Sequence, residues 1–176
     1  MNDTKQVAKD LLGKTLVRKI GTQVLSGIIT ETEAYKGKND PASHASRKKT
    51  ERNKIMFGEV GVAYVYFTYG MHYCFNVVAK KKNDKAGAVL IRAIQPQQGI
   101  NHMIKNRKTD IISNLTNGPG KLTQAMQITL KQYNHDLTKK SSLFIIDSEK
   151  PNKIIAKPRV GIKIGVDKLW NFSYKI

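Results

Sequence analysis

Cysteine is almost missing from this chain of 176 residues: Cys74 stands alone, which excludes an internal disulfide and a zinc cluster built on cysteine. A reducing, intracellular setting fits that usage. Acidic residues are scarce as well, 13 Asp and Glu against 31 Lys and Arg, for a net charge of +18. So lopsided a chain repels itself when compact and is matched by a polyanion, not by a small neutral metabolite. Nucleic acid is the first partner to consider and an anionic membrane surface the second. The start, MNDTKQVAKDLLGK, lacks the apolar stretch of a secretory signal. One uncharged stretch of 19 residues, Gly61–Ala79, carries four Tyr, a His, an Asn, a Thr and two Gly, which suits paired strands better than a membrane helix. There is no dinucleotide fingerprint and no phosphate loop, and His44, His72, His102 and His135 show no ligand spacing with one another or with Cys74. No metal and no cofactor are expected.

What is present is enough for a core, since 40% of the residues are apolar. Neither a repeat nor a low-complexity linker divides the chain, so residues 1–176 read as a single domain. Residues 5–12 have helical spacing and end at Gly13. Strand patterns follow at Thr15–Ile20, Gln23–Tyr35, Ala63–Thr68, Cys74–Ala79 and Ala88–Ile94. Pro96 predicts the opening of a helix that runs to about Asn106, and a further helix is expected after Gly118-Pro119-Gly120. The segments SLFIID and RVGIKI read as closing strands. The sum is an α+β fold, a curved and mostly antiparallel sheet with peripheral helices.

Chemistry concentrates in ITETEAY, where alternation puts Glu31, Glu33 and Tyr35 on one strand face. Two readings stay open there: a solvent-facing edge strand, or a carboxylate at a cleft acting as general base on water. A second focus is Tyr64, Tyr66, Tyr69 and Tyr73 with Phe67 and Phe75 among them. Aromatics between cationic loops suit stacking on unpaired bases, but a Tyr-rich core has the same composition. Tyr69 falls at a turn, where a large ring has no core to enter and can serve as a wedge. His44, beside the basic run Arg47-Lys48-Lys49, is by itself either a surface residue or a ligand. Lys121 follows Gly118-Pro119-Gly120 at a helix entry that could meet a phosphate.

Taken in order, LLGKTLVRKI, ITETEAYKGKNDPASHA, TERNKIMF, AYVYFTYGMHYCFNVV, AVLIRAIQP and NGPGKLTQAM resemble the alkyladenine (3-methyladenine) DNA glycosylase family, from about Leu11 to Trp170. The resemblance implies a hairpin inserted into the minor groove of duplex DNA and a monofunctional, monomeric enzyme acting on DNA inside the cell. Such an enzyme flips alkylated or deaminated purines out of the helix and hydrolyses their N-glycosidic bonds. By the same resemblance Glu33 is the general base, with Arg92 beside the catalytic water. Tyr35, His44 and Tyr66 sandwich the flipped base, Asn76 crowds the amine of normal guanine, and Tyr69 fills the vacated stack. Lys121, together with Arg47 of the basic run, is expected on DNA phosphates. His72 departs from the pattern, standing where an aromatic is common after Tyr-Gly-Met, and the likeness implies a further segment past NFSYKI. The rival readings are a non-catalytic nucleic-acid-binding module and a lyase that works through a lysine Schiff base.

Overall fold

A computed structural model describes residues 2–175. Alternating segments become strands wherever a turn lets them pair. β1 (Thr15–Ile20) and β2 (Gln23–Lys36) form a hairpin at Gly21, whose φ of 56° suits a tight reversal. β3 (Ala63–Thr68) and β4 (His72–Val78) form a second hairpin, and β5 (Gly87–Gln98) returns alongside β4 and β2. With β6 (Leu143–Ile146) the order is β3-β4-β5-β2-β1-β6, every pairing antiparallel, and the sheet curls into a half-barrel. Beyond the end of β1, β2 is long enough to take another partner: β8 (Asn171–Ser173) pairs with residues 31–33, and β7 (Ile155–Lys157) pairs with β8.

The two-residue period of the strands sorts the sheet into two faces. On one, Ala34, Val65, Phe75, Val77, Val89 and Ile91 are buried with residues of the helices α1 (Thr4–Asp10), α2 (Ile100–Arg107) and α3 (Pro119–Ala125), forming the main core. On the other lies a smaller cluster, Met56, Val62, Tyr64, Val78 and Ala88, with Tyr35 and Tyr66 packed against it. That second face carries the polar residues described below.

Two sequence expectations are corrected. Pro96 does not open a helix. It lies in β5 opposite Gly27, beside a register shift that leaves Gln97 unpaired, where the missing N–H of proline costs no regular ladder bond. α2 begins after Gly99, whose φ of 76° turns the chain out of the sheet; a Cβ there would run into the Leu25 side chain and the Val24 carbonyl. RVGIKI is not a strand either, because its backbone and side chains bond to the polar site instead of to a neighbouring ladder. Of the two readings left open for Glu31 and Glu33, the exposed edge is excluded: β2 is flanked at these residues by β5 and β8, and Glu33 is 0% exposed.

Candidate active site

One row of register partners runs across five strands, from Asn171 on β8 through Glu33, Leu90 and Asn76 to Tyr64 on β3. Directly paired residues share a face, so Glu33, Leu90, Asn76 and Tyr64 of this row line one cavity of about 350 Å³, with Asn171 behind Glu33 outside its lining. Of the residues singled out from sequence, Glu33, Tyr35, His44, Tyr66, Tyr69, Asn76 and Arg92 all line it. Arg92 reaches it through a bulge. At Glu31/Thr32 the ladder slips, and Arg92 is left between Ile91 and Ala93 without a register partner.

Glu33 is held from three sides. Its Oε1 accepts the Val160 backbone N–H at 2.7 Å and Asn171 Nδ2 at 2.9 Å, and its Oε2 accepts the Tyr35 hydroxyl at 2.7 Å. Arg92 Nε lies 3.5 Å from Glu33 Oε1 and 3.3 Å from Glu31 Oε1. Glu31 also accepts from Asn171 Nδ2 at 2.7 Å and has Lys157 Nζ 3.6 Å away, so the two carboxylates share cations and an amide instead of repelling unrelieved. Burial, then the adjoining Glu33 charge and the hydrogen bond to it, push the Tyr35 phenol far above its ordinary range; it remains a donor to Glu33.

The aromatic wall is crowded. His44 stands edge-on to Tyr66 with centroids 4.7 Å apart, Tyr64 and Tyr66 are 5.2 Å apart, and His44 Nδ1 lies 2.9 Å from the Tyr64 hydroxyl. Part of His44 is open to solvent, but burial of its ring side, and secondly the charge of Arg52, lower its pKa to about 4. At pH 7 the ring is therefore neutral. Asn76 is buried and donates through Nδ2 to the Tyr64 carbonyl at 2.9 Å, which fixes its amide plane.

At the mouth is the β3–β4 turn. Tyr69 and Gly70 both have positive φ, 52° and 68°, the backbone of a tight hairpin reversal. For a tyrosine this conformation is uncommon and costs about 1 kcal/mol. Tyr69 is 84% exposed and Met71 68% exposed, so the tip presents a ring and a thioether to the outside.

Lys121 and Arg47 stand apart from the cavity. Lys121, in the first turn of α3, bonds to the side-chain oxygens of Asn114 and Asn117, which are neutral, and no carboxylate pairs with it among the described residues. Arg47 is exposed and borders a different, basic groove with Lys38, Lys48, Lys49 and Lys85. Sequence reasoning missed several groups that build the site: Asn171, the Val160 N–H, and the fully buried pair Arg159–Asp40, whose two bonds are both 2.7 Å. Arg159 also donates to the Ala34 carbonyl at 3.0 Å and lies against the rings of Tyr35 and Trp170. These contacts join residues 119 to 138 positions apart, and no local spacing announces them.

A buried carboxylate beside an aromatic cavity, on a cationic molecule, has the parts of a hydrolase that acts on bases in nucleic acid. Comparison with known proteins gives the class. A family profile described as Methylpurine-DNA glycosylase (MPG) matches residues 1–175. A protein of Prosthecochloris aestuarii named "Putative 3-methyladenine DNA glycosylase" is 50% identical over 173 residues, covering 95% of this chain and 81% of its own. Proteins of the same name from Carboxydothermus hydrogenoformans and Methanocella arvoryzae are 49% and 45% identical, each covering 98% of this chain and 91% and 88% of their own. The protein is thus a monofunctional DNA glycosylase, a hydrolase of N-glycosidic bonds. It belongs to the methylpurine-DNA glycosylase family.

Proposed function

We propose that this enzyme flips alkylated or deaminated purines, among them 3-methyladenine, 7-methylguanine, hypoxanthine and ethenoadenine, out of duplex DNA. It then hydrolyses their glycosidic bonds with a water activated by Glu33, leaving an abasic site. The reading rests above all on one observation: a sealed carboxylate and an arginine share a cavity with aromatic rings, and an exposed tyrosine stands at its mouth. Tyr69 enters the stack as the lesion leaves it, offsetting part of the few kcal/mol that flipping costs. The base lies in the slot between Tyr35, His44 and Tyr66, where a cationic purine meets π faces. Asn76, with its amide plane fixed, crowds the exocyclic amine of normal guanine.

Lone-pair counting assigns the water a place. A carboxylate offers roughly four acceptor positions, and Glu33 uses two on Oε1 and one on Oε2 within the protein. The remaining direction, on Oε2, accepts a proton from water aimed at C1′. The same negative charge opposes the positive charge that grows on the sugar as the base departs. Arg92, beside Glu33 and Glu31, orients that water and keeps the two acids together. Alkylation at N3 or N7 weakens the glycosidic bond in advance, so such bases need little acid assistance. Lys121 and Arg47 are assigned to phosphates, and the enzyme acts on DNA inside the cell as a monomer.

The test is Glu33→Gln. Its amide oxygen can keep the Val160 and Asn171 donors while its nitrogen faces the Tyr35 hydroxyl, which can turn from donor to acceptor. The variant is expected to bind duplex normally and to release 3-methyladenine at least about 10²-fold more slowly, as for loss of a general base. Release at the parental rate, scored as alkali-sensitive strand breaks, overturns the assignment.

A further inference from the structure

The two tyrosine walls of the base slot each carry a guanidinium against the ring. Arg159 lies behind Tyr35, its Cζ 4.7 Å from the ring centroid, and Arg52 lies behind Tyr66 at 4.8 Å. Neither arginine lines the cavity. Arg52 instead borders a shallow groove on the other side of Tyr66, beside Phe67, Leu130 and Tyr133. The two cations differ in compensation. Arg159 is neutralised by the bidentate Asp40 carboxylate, whereas no ion pair to Arg52 occurs among the described residues, and the adjoining Glu51 is engaged by Lys54. Arg52 is exposed but rises from a fixed stem, because the buried Asn53 amide holds the carbonyls of His44 and Lys48 at 2.7 and 2.9 Å.

We propose that Arg52 is a specificity-determining residue that acts through the Tyr66 ring and lowers the preference of the slot for a positively charged purine over a neutral one. A tyrosine face attracts a cation because its π cloud is negative. A guanidinium on one face draws on that density and adds its own positive field, so a second cation on the opposite face is held less tightly. A neutral purine stacks mainly by dispersion and responds far less. On the Tyr35 side the field is cancelled: Arg159 is paired with Asp40, and Glu31 and Glu33 are balanced by Arg92 and Lys157. The Tyr66 wall is where an uncompensated cation acts. Burial first and then the same charge keep His44 neutral, so that ring adds no positive charge to the slot. Enzyme and slot are thus tempered so that neutral lesions compete with charged ones.

This inference rests on the glycosylase reading of the same cavity, and the experiment separates the two. Base release under enzyme excess is measured for 3-methyladenine, which is cationic in DNA, and for ethenoadenine, which is neutral; neither carries the amine of guanine. Arg52→Gln is expected to raise the rate ratio of charged to neutral lesion by about threefold to tenfold, the scale of one cation–π contact. Arg52→Lys, which keeps a charge on the same stem, is expected to leave the ratio within about twofold of the parent. A lost phosphate contact or loosened loop would slow both reactions alike and leave the ratio unmoved. An unchanged ratio in Arg52→Gln, an equal shift in both variants, or loss of both activities in Arg52→Gln overturns the inference, because removing a charge behind the ring leaves neutral stacking intact. Release of neither base by the parent overturns the glycosylase reading, and this inference with it.

Discussion

At the scale of single residues the site depends on charges that are almost all paired inside the protein. Asp40 and Arg159 are fully buried, and the residue after Arg159 supplies the N–H that Glu33 accepts. One ion pair therefore ties the loop that carries His44 to the segment that orients the carboxylate. Replacing Arg159 with Met leaves Asp40 buried without its partner, a change that costs about 3–5 kcal/mol. For a chain of this length the expected result is a melting temperature lower by roughly 10 °C. A drop of only about 1 °C, measured by calorimetry, would show that the pair is dispensable. Glu33 and Glu31 illustrate how far such residues can be read from sequence. Alternation put both on one face with Tyr35, and the structure agrees, but spacing alone treated the two acids as equals. What separates them is their neighbours: Glu31 faces Lys157 and keeps some exposure, while Glu33 is sealed and receives Val160 and Tyr35. Lys157 and Val160 come from the far end of the chain, so local pattern could not rank the pair.

At the scale of elements, the β3–β4 hairpin shows a local backbone preference overridden at its tip. Its tip places Tyr69 in a left-handed conformation and exposes the ring, though a glycine or asparagine would relieve the backbone. Tyr69→Ser is expected to keep the hairpin and its stability, to change binding to undamaged duplex by less than about twofold, and to slow lesion extrusion about tenfold or more, as loss of a wedge requires. A fluorescent base analogue at the lesion reports extrusion directly, and equal loss in binding and extrusion would argue against a wedge. Both hairpins were legible because a period of two and a turn residue occur together in each. Pro96 and RVGIKI were not, for opposite reasons. A proline that suits the first turn of a helix equally suits a strand beside a bulge, and only the partner Gly27 decides between them. In RVGIKI the alternation is real, but Arg159 turns inward to Asp40 and the Val160 N–H goes to a carboxylate, so no ladder forms. The pairing of β8 with the middle of β2 was equally hidden, although it turns an edge into an interior and so buries the acid.

At the scale of the whole molecule, the charge excess and the buried site belong to one argument. The chain has only 13 acidic residues, and Glu31, Glu33 and Asp40 are committed to cations inside, so little negative charge is left to balance the exposed lysines and arginines. The surface is therefore cationic over most of its extent, which favours contact with any stretch of duplex, while the proposed function leaves selection of a lesion to the cavity. Binding to undamaged duplex is then expected to weaken steeply with salt, by about a hundredfold between 50 and 200 mM if about four phosphates are engaged. Lys121→Ala should flatten the logarithmic slope by about one phosphate equivalent, since its ammonium is held only by neutral amides and is free to contact DNA. Glu33→Gln should leave the slope where it was, because that carboxylate is sealed from solvent and already faces arginine within the protein. Fluorescence anisotropy at four or five salt concentrations measures all three. A shallow slope for the parent would remove the charge-driven search, and a slope changed by Glu33→Gln would mean that the acid faces the DNA backbone instead of the sugar of a flipped nucleotide.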